Sequence, residues 1–440
     1  CRLVAFAAVM SAVSIAGCTG APSSVTTTLI TNVQVIDGTG APLRAASVRI
    51  KADRIAEVGD LTPARQEIVV DGAGQILAPG FIDTHSHHAG GLDEDPEALG
   101  AVSQGITTIV SGVDGGSRLP LEELFDDLAV DPVALNVASF TGHGSLRRRV
   151  LGDDYRRPAT DAEIDSMAAL LRTDMASGSL GLSTGLEYDP GIYSTSEEVI
   201  TLARVAGEAG GRYTSHMRSE DRRLFEAVDE LIRIGREADV PVQVSHMKLA
   251  MKSLWGRADD LLAKLDAARA EGIEVTADVY PYEYWQSTMT VLFPEREYTR
   301  EAAAFALDEL APPEGMIIGR FTPDPSYEGR TLAEVADIRG EDAVTTYLTL
   351  IGMVHGPEAA EDASEGIVAR SMAAEDIVRL LQWEHTNVCS DGGLDGPHPR
   401  GFGTFTRVLA RHVRERTDLG LEEAVHKMTA LSAAHVGLVD

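Results

Sequence analysis

Pro79-Gly80-Phe81-Ile82-Asp83-Thr84-His85-Ser86-His87-His88 is the stretch whose reading decides the fold. Val69, Val70, Ile76, Leu77, Phe81 and Ile82 lead through Gly72, Gly74 and Gly80 into it, which reads as a short buried strand ending in a polar cluster. Alternate side chains of a strand share a face, so Asp83, His85 and His87 point one way and Thr84, Ser86 and His88 the other. Two imidazoles at i and i+2 grip one cation from one side, and a His-x-His closing an apolar strand therefore points to a metal.

Working outward, apolar runs alternate with helical patterns. The strand-like runs are Gly105 to Asp114, Val133 to His143, Gly178 to Glu187, Arg212 to Met217, Val240 to Met247, Ile273 to Tyr280 and Thr386 to Asp391. With the run ending at His87 these make eight, which predicts an α/β fold of the (β/α)8, or TIM, barrel type. An internal echo supports it: Thr214-Ser215-His216-Met217-Arg218 recurs as Val244-Ser245-His246-Met247-Lys248, one βαβ repeat later. Leu224, Phe225, Val228, Leu231, Ile232 and Gly235 recur between them at helical spacing, so a crossover helix puts His216 and His246 at the C-terminal ends of neighbouring strands.

Before the barrel, residues 29–79 read as the N-terminal part of a small β domain, with strands at Leu29 to Ile36, Ala46 to Ile50 and Ile55 to Val58. Residues 1–18 read as a lipoprotein signal peptide: Arg2, an apolar run to Ile15 too short to span a bilayer, then Ile15-Ala16-Gly17-Cys18. A lipid on Cys18 and a tether over 19–28 predict export to the periplasm or cell envelope, with membrane attachment through that cysteine. The chain begins with Cys1 rather than Met, so a fragment is expected at this end. Only Cys18 and Cys389 remain after cleavage, so no disulfide framework is expected. The formal charge of -30 argues against nucleic acid as a partner and requires locally placed cations for an anionic substrate.

Other residues reach the same rim. Asp114 sits in Ser111-Gly112-Val113-Asp114-Gly115-Gly116 after a buried strand, a setting that serves turn chemistry as readily as metal binding. Asp391 closes the last strand, opposite the first. His143 follows another apolar strand. P-loop and dinucleotide patterns are absent, which removes nucleotide chemistry from the leading readings.

Taken together the chain resembles the amidohydrolase superfamily, and within it the N-acyl-D-amino-acid deacylase (D-aminoacylase) branch. The resemblance covers roughly residues 28 to 438. It rests on Ala78 to His87, Gly181-Leu182-Ser183-Thr184-Gly185-Leu186-Glu187-Tyr188, Tyr213 to Glu220, Ala277-Asp278-Val279-Tyr280-Pro281-Tyr282 and His398-Pro399-Arg400-Gly401-Phe402-Gly403-Thr404-Phe405. It implies zinc-dependent hydrolysis of the amide bond of small N-acyl-D-amino acids. His85, His87, His216 and His246 are then metal ligands, Asp391 is the proton-shuttling catalytic residue, and Lys248 with Tyr282 holds the substrate carboxylate. His143 either hydrogen-bonds the carbonyl oxygen or only packs.

Two departures stand out. Val113-Asp114 replaces the family's Asn-Cys, so one tight zinc with at most a second, weaker one is expected, and Glu187 is an alternative bridge. The family continues past the equivalent of Gly437-Leu438 with strands that complete its small β-sandwich domain, so a C-terminally truncated small domain is expected here. Residues 283–383 are expected to form an insertion between the seventh and eighth strands, within a barrel domain of residues 80–440, that lids its mouth. A dipeptidase, lactonase or deaminase of the superfamily, or a non-catalytic binding lipoprotein, is the alternative.

Overall fold

A computed structural model describes residues 27–438; the expected signal peptide, Cys18 and the expected tether up to residue 26 lie outside the described residues. Two units emerge, one from the chain up to Val35 with Leu43–Leu77, the other from Ile36–Pro42 with the chain from Ala78 onward.

In the first unit the long strand Thr27–Val35 pairs antiparallel with Arg44–Lys51 and parallel with Ile68–Asp71 and Ile76–Leu77, while Arg54–Gly59 pairs with Arg44–Lys51. Val33, Val35 and Val48 form its small core. Ile55, Val58, Ile68, Val69, Val70 and Ile76 are exposed.

The second unit is the barrel. Its first three strands, Phe81–Asp83, Ile106–Ser111 and Asn136–Ser139, pair in parallel. The third breaks at Phe140 and resumes as Thr141–Gly142, from which the parallel ladder runs through Gly181–Gly185, Arg212–His216, Val242–Val244, Val275–Val279 and Thr386–Val388. Closure falls just beyond the last strand: the Asp391 amide donates to His85 O at 2.9 Å and the His87 amide to Gly392 O at 2.9 Å. Below this seam the buried Asp83 carboxylate accepts from the Ser390 amide at 2.8 Å, so Asp83 joins the first strand to the last and does not share the histidines' task.

Crossover helices bury the stripes their sequence predicts. In Leu224–Ala238 the residues Leu224, Val228, Leu231, Ile232 and Gly235 are buried. Gly235 is required by close packing, since a Cβ there would lie 3.0 Å from both Ile273 and Val242.

The insertion between the seventh and eighth strands is a subdomain with its own antiparallel sheet, Tyr284–Ser287, Glu365–Arg370 and Met316–Phe321, with Glu365–Arg370 central. Helices Arg300–Phe305, Leu332–Arg339 and Ala343–His355 accompany it. Its end lies earlier than expected. Helix Ala374–Leu381 belongs to the barrel layer, where Asp376 accepts from the Gly256 amide at 2.8 Å and Arg379 pairs with Asp259 on helix Ala258–Ala270. Tryptophan, glutamine and serine at 285, 286 and 287, with Arg320, line the mouth of a cavity of about 1020 Å³ above the barrel.

Candidate metal centre

The strand ends deliver two donor sets that meet at one carboxylate. In the first, Asp114 Oδ2 lies 3.2 Å from His85 Nε2 and 3.3 Å from His87 Nε2, and Asp391 Oδ1 lies 3.2 Å from His87 Nε2 and 3.7 Å from His85 Nε2. Tetrahedral zinc with bonds of about 2.0–2.1 Å has ligand–ligand edges of about 3.4 Å. These contacts match four of the six edges of such a polyhedron, and all four donor atoms lie within 4.8 Å of one another. In the second set the other oxygen, Asp114 Oδ1, lies 3.3 Å from His246 Nε2, and His216 Nδ1 lies 3.1 Å from that same nitrogen. Asp114 thus presents one oxygen to each set, which is how a carboxylate spans two metals where a thiolate would share a single sulfur. The residues present fit a metal centre.

The local sequence explains how Asp114 gets there. Gly112 and Gly115 flank it with φ of 69° and 77°, and a Cβ on Gly112 would lie 2.1 Å from Phe140 O. The Ser183 hydroxyl accepts from the Gly115 amide at 3.2 Å and donates to Gly112 O at 2.5 Å, pinning the turn. Asp114, His246 and Asp391 themselves have φ of 51°, 34° and 50°, the left-handed region that costs non-glycine residues energy. For His246 the compensation is visible: Asp278 accepts its amide at 2.5 Å.

Other expected residues fall differently. Glu187 does not join the two sets at Asp114: its Oε2 lies 2.9 Å from His216 Nε2, the ring nitrogen remote from Asp114 and His246, where it forms a third group of possible ligands with His216 and Glu220. It orients the His216 ring, as carboxylates commonly do behind metal-bound imidazoles. His143 faces away from the cavity; its Nε2 is 2.8 Å from Glu198, which also binds Arg147, so of its two readings the packing one holds. Tyr282 also misses the cavity wall and stands edge-on against His398 with Arg407 over its ring. Tyr280, two residues earlier and just past the end of strand Val275–Val279, lines the cavity instead, and its buried hydroxyl has no hydrogen-bond partner among the described residues.

Lys248 does line the cavity, but its ammonium donates to both Glu220 oxygens at 2.8 Å and lies 2.7 Å from His246 Nδ1. Glu220 was passed over in the sequence, although it ends the motif Tyr213 to Glu220; it lies 3.0 Å from His246 Nδ1 and so also fixes that ring. Arg400, from the motif His398 to Phe405, pairs with Asp391 Oδ2 at 2.6 Å and stacks over Tyr280.

The electrostatics follow from burial against charge. Burial alone would raise the carboxyls of Asp391 and Asp114. Arg400 and His246 instead hold Asp391 well below the usual range, and His85 and His246 do the same for Asp114. Burial depresses the imidazoles, yet in the metal-free site Asp114 and Asp391 win at His87, pushing it up to about 9. At His246, burial and Lys248 are overcome by Glu220, Asp391 and Asp114, taking it to about 10. Burial also lifts Glu187 to about 7 despite His216.

No protein-family model matches the chain. It is 38% identical over 430 residues to an N-acyl-D-glutamate deacylase of Alcaligenes xylosoxydans xylosoxydans, a match covering 92% of this chain and 82% of that one. Among solved structures it resembles the N-acyl-D-glutamate deacylase of Bordetella bronchiseptica, complexed with zinc and a phosphonate mimic of the tetrahedral intermediate, at TM-score 0.82 and 34% identity over 93% of this chain and 85% of that one. A D-aminoacylase whose binuclear metal centre shows one-metal activation and second-metal attenuation matches at TM-score 0.81 and 34% identity, over 93% and 86%. With this identity along nearly its whole length, the chain belongs to the N-acyl-D-amino-acid deacylase (D-aminoacylase) branch of the amidohydrolases.

Proposed function

We propose that the protein hydrolyses the amide bond of N-acyl-D-amino acids, releasing a carboxylic acid and a free D-amino acid, with zinc as its metal. The observation that carries this is Asp114 dividing its two oxygens between the pairs His85/His87 and His216/His246, with Asp391 and Arg400 beside them. Zinc bound there would polarise a carbonyl and lower the pKa of water from about 15.7 toward about 7. Asp391 accepts the proton of the attacking water and returns it to the departing amine. Arg400 holds the other oxygen of Asp391 at 2.6 Å, which leaves Oδ1 facing the donor set.

The substrate's α-carboxylate is held by Lys248, Arg400 and the Tyr280 hydroxyl. Lys248 and Arg400 lie 5.7 Å and 5.2 Å from the Tyr280 ring centre, so the three stand on one wall, where each cation is shared with a protein carboxylate, Glu220 or Asp391, and the Tyr280 hydroxyl is unpartnered among the described residues. The amino-acid side chain meets the lid. There Arg320 is the one lining Arg or Lys without an ion-pair or hydrogen-bond partner among the described residues, which favours acidic side chains. A matched panel of N-acetyl-D- and N-acetyl-L-glutamate, aspartate and methionine, given to protein of measured zinc content, tests the reading. Turnover of the D series, led by glutamate or aspartate, is expected; preference for the L series overturns it.

The export reading adds a location. Arg2, the apolar run and Ile15-Ala16-Gly17-Cys18 support a cell-envelope lipoprotein anchored through Cys18. Fatty-acid labelling of the full chain that survives in Cys18→Ser would refute it.

A further inference from the structure

A second cavity, of about 1060 Å³, adjoins the metal centre from the side away from the lid. His87 and Gly90 line both cavities, so the His87 ring is the partition and Gly90 the neck between them. A Cβ on Gly90 would meet no heavy atom within 4 Å, which leaves the neck open. The cavity runs between the loop after the first strand and helix Leu121–Val130, over Ala89, Leu92, Val113, Leu124, Leu128 and Val133. Leu121, Leu124 and Leu128 form one stripe of that helix; Leu121 is fully buried, whereas Leu124 and Leu128 are only half-buried because the cavity lies before them. Its charged members do not suit an anion: Arg118 is spent on Asp127 at 2.7 Å, and Asp93 and Asp131 are acidic.

We infer that this groove receives the acyl chain of the substrate, and that the protein acts on D-amino acids carrying unbranched acyl groups of medium length. The inference rests on the deacylase reading above. With the scissile carbonyl at the donor sets and the carboxylate arm turned to Lys248, Arg400 and Tyr280, the acyl arm leaves past His87. An acetyl group ends at that ring; a longer chain continues through the neck along the Leu124 and Leu128 stripe, in a groove that also exposes Ser86, Ser111, Ser117 and Ser139.

Each buried methylene is worth about fourfold in binding at full burial. In a groove with an open side, six further methylenes should favour N-octanoyl- over N-acetyl-D-glutamate by on the order of 10²-fold in kcat/KM. The test is an acyl series from acetyl to decanoyl on the zinc-loaded enzyme, repeated with Leu128→Asp and Gly116→Leu. Gly116 lines the groove, and a Cβ there finds only Val113 O, at 3.9 Å, so a larger side chain can start from this position into the groove. Both variants, checked by melting temperature, should reduce the octanoyl-to-acetyl ratio at least tenfold. A flat or falling series in the wild type, or variants that keep the wild-type ratio, overturns the inference while hydrolysis of the acetyl substrate sustains the deacylase reading. Failure to hydrolyse N-acyl-D-amino acids of any length overturns both.

Discussion

Asp391→Asn separates chemistry from structure at this site, because Asp391 holds two partners at once. One oxygen lies 3.2 Å from His87 Nε2 and the other 2.6 Å from Arg400. The amide keeps an oxygen for the donor set but cannot take up and return a proton, so kcat should fall on the order of 10² to 10⁴ with zinc content near wild type. It also leaves Arg400, itself buried, without its carboxylate. Breaking a buried pair from one side costs about 3–5 kcal/mol, and the lower end applies because both groups border the cavity. Asp391→Asn with Arg400→Gln should recover most of that stability, since no charge is then left unpaired, yet recover none of the rate. Zinc analysis, denaturant unfolding and kcat on single preparations of the three proteins read all of this. A zinc-replete Asp391→Asn enzyme with near-normal kcat would remove Asp391 from the chemistry. A single variant as stable as wild type would refute the buried-pair reasoning.

Four further outcomes are expected. At pH 7.5 His87 and His246 of the metal-free protein carry protons, their values lying at about 9 and about 10, so zinc binding should release protons, measurable by calorimetry in buffers of different ionisation enthalpy. Because both values are raised above the ordinary value of about 6.5, the stability these imidazoles give the metal-free protein is full below that pH and lost as pH climbs through 9 and 10. Its melting temperature should therefore fall over that window, and a flat profile counts against the charge network. Glu220→Gln should weaken zinc binding about 10- to 100-fold by loosening His246 and stranding the Lys248 ammonium, seen by competition with a chelator. Tyr280→Phe should raise KM for a carboxylate-bearing substrate with little loss of stability, because its hydroxyl has no partner among the described residues, while Tyr282→Phe leaves KM alone; the reverse result would return the carboxylate to Tyr282.

The sequence made the barrel legible because its cues are local. Apolar runs of strand length closed by polar clusters recur eight times, and His-x-His and the paired Ser-His-Met stretches mark strand ends whatever the rest of the chain does. All four histidines and both aspartates came together as read. Tyr282 and the insertion boundary fall elsewhere than expected, and Glu187 and His143, each open to two readings in the sequence, are decided only by the structure, because each depends on a direction that spacing does not encode. Glu187 reaches the right histidine at the wrong nitrogen, and whether 280 or 282 faces the cavity depends on how the chain turns after Val275–Val279. Helix Ala374–Leu381 looks like its neighbours in the insertion until its packing on Ala258–Ala270 is seen.

The same reasoning revises what the missing cysteine means. Sequence alone set Asp114 down as a poorer ligand in place of a thiolate, and so as a weakening of the second metal site. A carboxylate, however, has two donor atoms where a thiolate has one. The glycines at 112 and 115 turn the chain so that these atoms face different histidine pairs. The consequence is a donor count of four on the side of His85, His87 and Asp391 and of three on the side of His216 and His246, which ranks the first site as tight and the second as weaker. Asp114→Cys exchanges two oxygens for one shared sulfur in the same turn. If the two-oxygen bridge is what sets the order of affinities, titration of the metal-free variant should narrow the gap between the two zinc sites. A gap unchanged from wild type would place the difference in the histidines and Asp391 instead.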